Sequence, residues 1–493
     1  MPLVLAFVLV FAALLGWRGP STLGAPDLPQ IPEVRSHGGV VTLTLSAALD
    51  SHGRPAFFWE GREIAPTIRV RPGDVIRVHY VNALPEFCGL GMVSDSNLHF
   101  HGLTTSPQPP GDDVLTTMVA PSRAFDYVVR VSRDQPPGLY WYHPHAHGLA
   151  NWELGNGMSG AIVIEGIADE VPSLAGLRER VVVLRDIPRD PSVGAAESKT
   201  QLTAAGPLPT AQAQTHVGMD DEDYQGDTPC GVDADAQPTI NGIPSATIAI
   251  APGERQLWRV LNASGKRQYD LAIAGVRMQL VARDGIPIKL LEKTPERDVD
   301  HVLIPPGGRA ELVVTGATHP QLLLSRCYDA GKAGEVNPGV IFGELVNDRG
   351  GGERTADRVA APFGIALDRA YTILPAHVAQ HRTIYFREDS KGFSLNGKRF
   401  SPNDPPMFVV HAGTTEEWTL DNRTDEVHAF HVHQVHFVVE RTREWRDVID
   451  VPPRSKLRII VDFRDPVIRG TFLFHCHLTD HEDGGMMAKL KVI

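Results

Sequence analysis

From Phe474 to Met487 the chain reads FHCHLTDHEDGGMM. Cys476 stands between His475 and His477, with His481 and the pair Met486 and Met487 following. Two imidazoles, a thiolate and a weakly bound thioether are the donors of a blue-copper electron-transfer centre. Three further clusters share its character. HFHG carries His99 and His101, WYHPHAHG carries His143, His145 and His147, and HAFHVHQVHF carries His428, His431, His433 and His436. Side chains alternate across a strand, so each His-x-His pair presents two rings on one face. In HCH the same alternation sends Cys476 to the face opposite His475 and His477, so one short strand can serve two metal sites. A single pair would read as solvated or core histidines. Four pairs exceed the three or four ligands that one zinc ion takes, and point to a multinuclear cluster.

The elements that must position these residues are strands. TIRVRPGDVIRVHYVN alternates apolar and polar residues for most of its length. Its surroundings recur twice. EGREIAPTIRVRPGDVIRVHYVNAL, NGIPSATIAIAPGERQLWRVLNAS and NGKRFSPNDPPMFVVHAGTTEEWTLDNRT each hold a turn glycine nine residues ahead of an asparagine. The pairs are Gly73 and Asn82, Gly253 and Asn262, Gly413 and Asn422. Three agreements of spacing and flanking character predict three repeats of one β-sandwich domain. Their expected limits are 35–167, 178–347 and 365–493. The polar stretch 195–227 reads as a long loop and 347–362 as a linker. The histidine pairs fall only in the first and third repeats, which leaves the middle one a structural and substrate-shaping role.

With these motifs in this order, the chain resembles the three-domain multicopper oxidases, the family of laccases and bacterial copper oxidases. The resemblance spans nearly the whole chain after the N-terminal segment. It implies an all-β fold of three consecutive cupredoxin-like Greek-key sandwiches and four copper ions per chain. Carried over by position, it implies His428, Cys476, His481 and axial Met486 at the type 1 copper, with Met487 the alternative axial residue. The type 2 copper would take His99 and His431. The two type 3 coppers would take His101, His143 and His477, and His145, His433 and His475. His147 and His436 fall outside this pattern. Glu482 and Asp112 match acidic residues that supply protons near the cluster, with Asp113 the rival of Asp112. The activity implied is one-electron oxidation of phenolic or similar aromatic donors, coupled to four-electron reduction of dioxygen to water. Electrons would run from the type 1 site through Cys476 and its bonded neighbours. A metal-ion donor, Cu(I), Fe(II) or Mn(II), is the second enzymatic expectation. A blue-copper carrier is the non-enzymatic one, although a carrier needs only the type 1 set.

Composition limits the rest. The 493 residues carry a formal net charge of −12, which argues against a nucleic-acid partner, since phosphate binding needs clustered Lys and Arg. The chain has nine Met and no Met-rich tract, which disfavours a dedicated Cu(I) oxidase. DDEDY at 220–224 could bind a metal-ion donor, although exposed acidic loops are ordinarily only solvated. MPLVLAFVLVFAALLGW, followed by STLGA, has the length of an export signal, with a cut expected near Ala25. It lacks a basic flank, which keeps an uncleaved anchor open. The expected location is periplasmic or extracellular. With Cys476 on a metal, Cys88, Cys230 and Cys327 allow one disulfide, and Cys230 with Cys327 is the pair expected.

Overall fold

The computed structural model describes residues 25–189, 235–291, 294–347, 357–364, 371, 378–390 and 392–493. The apolar N-terminal run to residue 24, the whole 195–227 stretch with DDEDY, and Cys230 lie outside them. Cys327 is disulfide-bonded, while Cys88 and Cys476 carry free thiols. No helix among the described residues is long and apolar enough to cross a membrane.

Three β-sandwiches follow one another, and the repeated glycine and asparagine explain how each is pinned. Gly73, Gly253 and Gly413 all adopt a left-handed backbone, with φ of 89°, 76° and 86°, where a Cβ is disfavoured. Each turn feeds a strand that ends on the asparagine: Val75–Asn82, Arg255–Asn262 and Thr414–Asn422. These strands pair in parallel with Val40–Leu49, Arg178–Pro188 and Gln380–Asp389, and the asparagines stand opposite Ala47, Leu184 and Phe386. The same side-chain bonds recur. Asn82 Nδ2 donates to the Ser94 and Val119 carbonyls, Asn262 Nδ2 to Arg267 and Ile304, and Asn422 Nδ2 to Glu426 and Val451. Each Oδ1 accepts from the backbone N–H two residues on, at 2.9–3.0 Å. A buried amide that satisfies three backbone groups fixes the loop leaving the strand. In the third sandwich that loop runs straight into His428.

One apolar cluster fills each sandwich. Phe57, Tyr80 and Phe100 lie in the first, Trp258, Leu271 and Phe342 in the second, and Trp418, Phe430 and Phe474 in the third. Burying each such side chain contributes roughly 1.5–3 kcal/mol. The first and middle sandwiches are joined by buried ions. Arg69 bonds Glu33, Glu165 and Glu179, and Arg259 bonds Glu179 and Glu311. Glu311 also accepts the Leu139 N–H at 2.7 Å, at the start of the strand that ends in His143.

Candidate metal centre

Four strand ends bring the histidines together. His99–His101 pairs antiparallel with Gly138–His143, setting His99 opposite His143. His428–Val432 pairs antiparallel with Gly470–Cys476, setting His431 opposite His475 and Phe430 opposite Cys476. The two hairpin-like edges meet across the seam between first and third sandwiches. His101 stacks on His431 and His99 on His433, each with ring centroids 3.8 Å apart.

The side chains gather in converging groups. His101, His143 and His477 converge, as do His145, His433 and His475, while His99 and His431 meet beside His101. His475 Nε2 lies 3.2 Å from His145 Nε2 and 3.1 Å from His433 Nε2. On the other face of its strand, Cys476 Sγ lies 3.6 Å from His428 Nδ1 and 3.7 Å from His481 Nδ1, which are 3.1 Å from each other. Met486 packs in the same cluster as Cys476, whereas Met487 packs on Val114 and Leu473. His147 sits half-buried against Phe400, and His436 is buried with Tyr140 and Tyr371 beside it. Neither joins a converging set.

Hydrogen bonds decide which nitrogen of each ring is spare. Nδ1–H donates outward from His99 to Asp112 at 3.0 Å, from His143 to the Pro144 carbonyl at 2.8 Å and from His431 to the Asp447 carbonyl at 2.7 Å. His475 Nδ1 does the same to the Cys476 carbonyl at 2.9 Å. His101 is reversed: its Nε2 faces Asp447 at 3.2 Å. At the other site His428 Nε2 meets Thr424 Oγ1 at 2.8 Å and His481 Nε2 lies 3.4 Å from Glu426. The inward nitrogens have nothing to bond. His99 Nε2, His101 Nδ1, His143 Nε2, His431 Nε2 and His477 Nε2 are all buried without a hydrogen-bond partner.

An unsatisfied buried polar group costs about 1–3 kcal/mol, and five at one point would be an untenable core. Burial first, and neighbouring imidazoles second, hold His99, His101, His145, His431, His433 and His477 well below the usual histidine range. The rings are therefore neutral, and each offers a lone pair. Neutral imidazoles anchored at one nitrogen with the other left spare, as in His99, His101, His143 and His431, are built to bind metal. The Cys476 thiol is pushed well up by burial, and a bound metal ion would deprotonate it. The donor sets fit copper at both places: imidazole, thiolate and thioether at one, imidazole alone at the other.

The expected acids separate cleanly. Asp112 faces His99 and also accepts the Phe100 N–H at 3.1 Å and Gln434 Nε2 at 2.7 Å. Burial pushes its carboxyl up to about 7. Asp113 instead caps its own loop through the Leu115 and Thr116 N–H groups. Glu482 is buried with carboxylate oxygens 3.4 Å from His145 Nε2 and 3.3 Å from His475 Nδ1. Burial, then Asp483, raises it well above the usual carboxylate range.

Three contributions escape a reading by spacing. Asp447 touches His101, His431 and, at 3.7 Å, His436. The middle sandwich reaches the cluster directly, because a Cβ on Gly307 would lie 2.9 Å from His477 Nε2 and 3.2 Å from His101. Glu426 stands at the rim beside His481, with Glu388, Asp480 and Glu335 near enough to help raise its carboxyl to about 8, after burial. His481, at 3%, is the most exposed of the converging residues, so that rim is where a donor can come nearest.

Comparison with known proteins gives one answer. Family models described as multicopper oxidase match residues 42–169, 192–340 and 374–493. A Staphylococcus aureus protein, multicopper oxidase mco, is 24% identical over 450 residues, covering 88% of this chain and 83% of that protein. Among solved structures, a Campylobacter jejuni multicopper oxidase described as a metallo-oxidase superposes with a TM-score of 0.69 at 20% identity, over 95% of both chains. A laccase-like oxidase from Ochrobactrum sp., with activity towards lignin model compounds, gives 0.67 at 21%, over 95% of this chain and 100% of that one.

Proposed function

The chain belongs to the multicopper oxidases, copper-dependent oxidoreductases that use dioxygen, and from that premise we propose that it is a laccase-like enzyme drawing single electrons from phenolic donors. We assign four copper ions to the chain. His428, Cys476, His481 and Met486 would hold the type 1 ion, and His99 and His431 the type 2 ion. His101, His143 and His477 would hold one type 3 ion, and His145, His433 and His475 the other. The observation that supports this most is the two-sidedness of HCH. The Cys476 thiol joins one converging set, while its bonded neighbours His475 and His477 join the other. When bound, copper supplies the one-electron redox steps that carbon side chains cannot.

The protein's own groups would do the rest. The peptide bonds from Cys476 to His475 and His477 are the shortest covalent path between the two sites. His481, least buried of the set, is the proposed point of electron entry. Glu482 would hold the proton nearest the His145 and His475 pair, and Asp112 would orient His99 by accepting from its Nδ1. We propose unit limits of 35–167, 178–347 and 365–493, and export to the periplasm or the extracellular space.

Met486→Leu should keep the blue absorption and raise the type 1 potential, because the weak thioether ligand is lost. Redox titration checks this. An unchanged potential, with a rise in Met487→Leu instead, would move the axial role by one residue.

A metal-ion donor is the second reading, favoured by the carboxylates of Glu426, Glu388, Asp480 and Glu335 at the proposed entry point. The relatives do not choose, since one is a metallo-oxidase and another acts on lignin model compounds. Dioxygen uptake with a methoxyphenol and with Cu(I) separates the two. Faster uptake with the phenol supports the laccase-like reading. Faster uptake with Cu(I) would overturn it. Measured above pH 8, where Glu426 is ionised, Glu426→Gln should then raise KM for Cu(I) about tenfold, equivalent to about 1.4 kcal/mol of lost attraction, and leave KM for the phenol unchanged.

A further inference from the structure

Among the trinuclear histidines, His99, His143, His431 and His475 bond outward within their own sandwich, while Nδ1 of His145, His433 and His477 has no hydrogen-bond partner. His101, in the first sandwich, is held by Asp447 of the third, and Asp447 is held in turn by Arg309 of the middle one. Arg309 donates to Asp447 through NH1 at 2.6 Å and NH2 at 2.5 Å, a bidentate pair that fixes the carboxylate plane. The arginine has little freedom. Its NH1 also donates to the Gly307 carbonyl at 3.0 Å, its Nε to the Leu139 carbonyl at 3.2 Å, and its backbone N–H to Asp284 Oδ1 at 2.9 Å. Asp447, Arg309 and His101 are all fully or almost fully buried. Gly102 makes room for the pair: a Cβ there would lie 2.5 Å from Asp447 Oδ2 and 2.6 Å from Arg309 NH2.

We propose that Arg309 is a positioning residue of the trinuclear centre. It locks the Asp447 carboxylate against His101 Nε2, so that His101 presents Nδ1 to copper, and the middle sandwich thereby sets copper retention in a site to which it gives no ligand. An imidazole whose far nitrogen donates to a fixed carboxylate has one tautomer and one ring orientation. Freed of that bond, it can flip and present either nitrogen. Lysine could keep the charge at 309, but it cannot hold both carboxylate oxygens in one plane. The inference rests on the copper assignment proposed above.

Asp447→Asn keeps the side-chain shape and loses the carboxylate. Stepwise removal of copper by a chelator, followed through the type 3 near-ultraviolet band, should show retention weakened roughly 10–100-fold. The blue band of the type 1 site serves as the internal control and should not move. Arg309→Lys should give a smaller loss of the same kind. Retention equal to that of the unmodified protein in both variants would overturn the proposal. So would parallel loss of the blue band, which would signal general destabilisation. If neither variant folds, a copper-loaded crystal structure of the unmodified protein decides. Copper on His101 Nδ1, with Nε2 within hydrogen-bond distance of Asp447, supports the proposal. Copper on Nε2 with Asp447 turned away overturns it alone, whereas a chain that takes up no copper at His101 overturns the copper assignment beneath it.

Discussion

Cys476→Ser is expected to lose the blue absorption and all turnover while the histidines across the seam still bind copper. The expectation follows from the division of one strand. Cys476 Sγ converges with His428 and His481, while His475 and His477 join the other sets. A serine oxygen is too hard a donor to replace a thiolate at a blue-copper site. The substitution also removes the sulfur that would join the type 1 ion to the peptide path leading to His475 and His477. His475 and His477 keep their backbone frame, because the strand ladder and the His477 N–H bond to the Ala429 carbonyl, at 2.6 Å, do not involve the sulfur. Absorption spectra and copper analysis on the purified variant check both halves. Retained blue colour would remove Cys476 from the type 1 site.

The second large effect is expected from Glu482→Gln, which should lower kcat by about 10²-fold or more, within the usual range for loss of a positioned proton donor. The donor KM, the blue band and the copper content should stay as they are. Glu482 is suited to the role because it is buried, shifted toward its protonated form by that burial, and placed 3.3–3.4 Å from His475 and His145. Its Oε1 has no hydrogen-bond partner, so the acid is not consumed in holding the fold. Glutamine keeps the size and loses the exchangeable acidic proton. A variant with unchanged kcat would return Glu482 to a purely structural place.

Much of this was legible in the sequence because two periods carried it. The period of two in a strand put His475 and His477 on one face and Cys476 on the other, and the structure keeps that division. The nine-residue interval from turn glycine to asparagine marked each sandwich, because the same amide must pin the same loop three times. Asp447, Arg309 and Glu426 had no such signal. His101 and Asp447 are 346 residues apart, and their contact is created by the docking of whole sandwiches. In sequence, Arg309 is an ordinary strand arginine in PPGGRAEL and Glu426 an ordinary loop acid in RTDEVHAF. A role confined to structure and substrate shaping, expected for the middle repeat, therefore understated it. Its contact with His101 and His477 is made by a glycine turn, which no histidine count can register. Asp112 was expected ahead of its rival Asp113, and of the two only Asp112 reaches the Phe100 N–H and the His99 ring.

Copper content per chain tests the central claim most directly, measured on purified blue protein beside Cys476→Ser. The account predicts four ions in the unmodified chain, one for each converging set, and one ion fewer in the variant. A single ion in the unmodified chain, lost entirely in Cys476→Ser, would mean a carrier with an idle histidine cluster, and would contradict it.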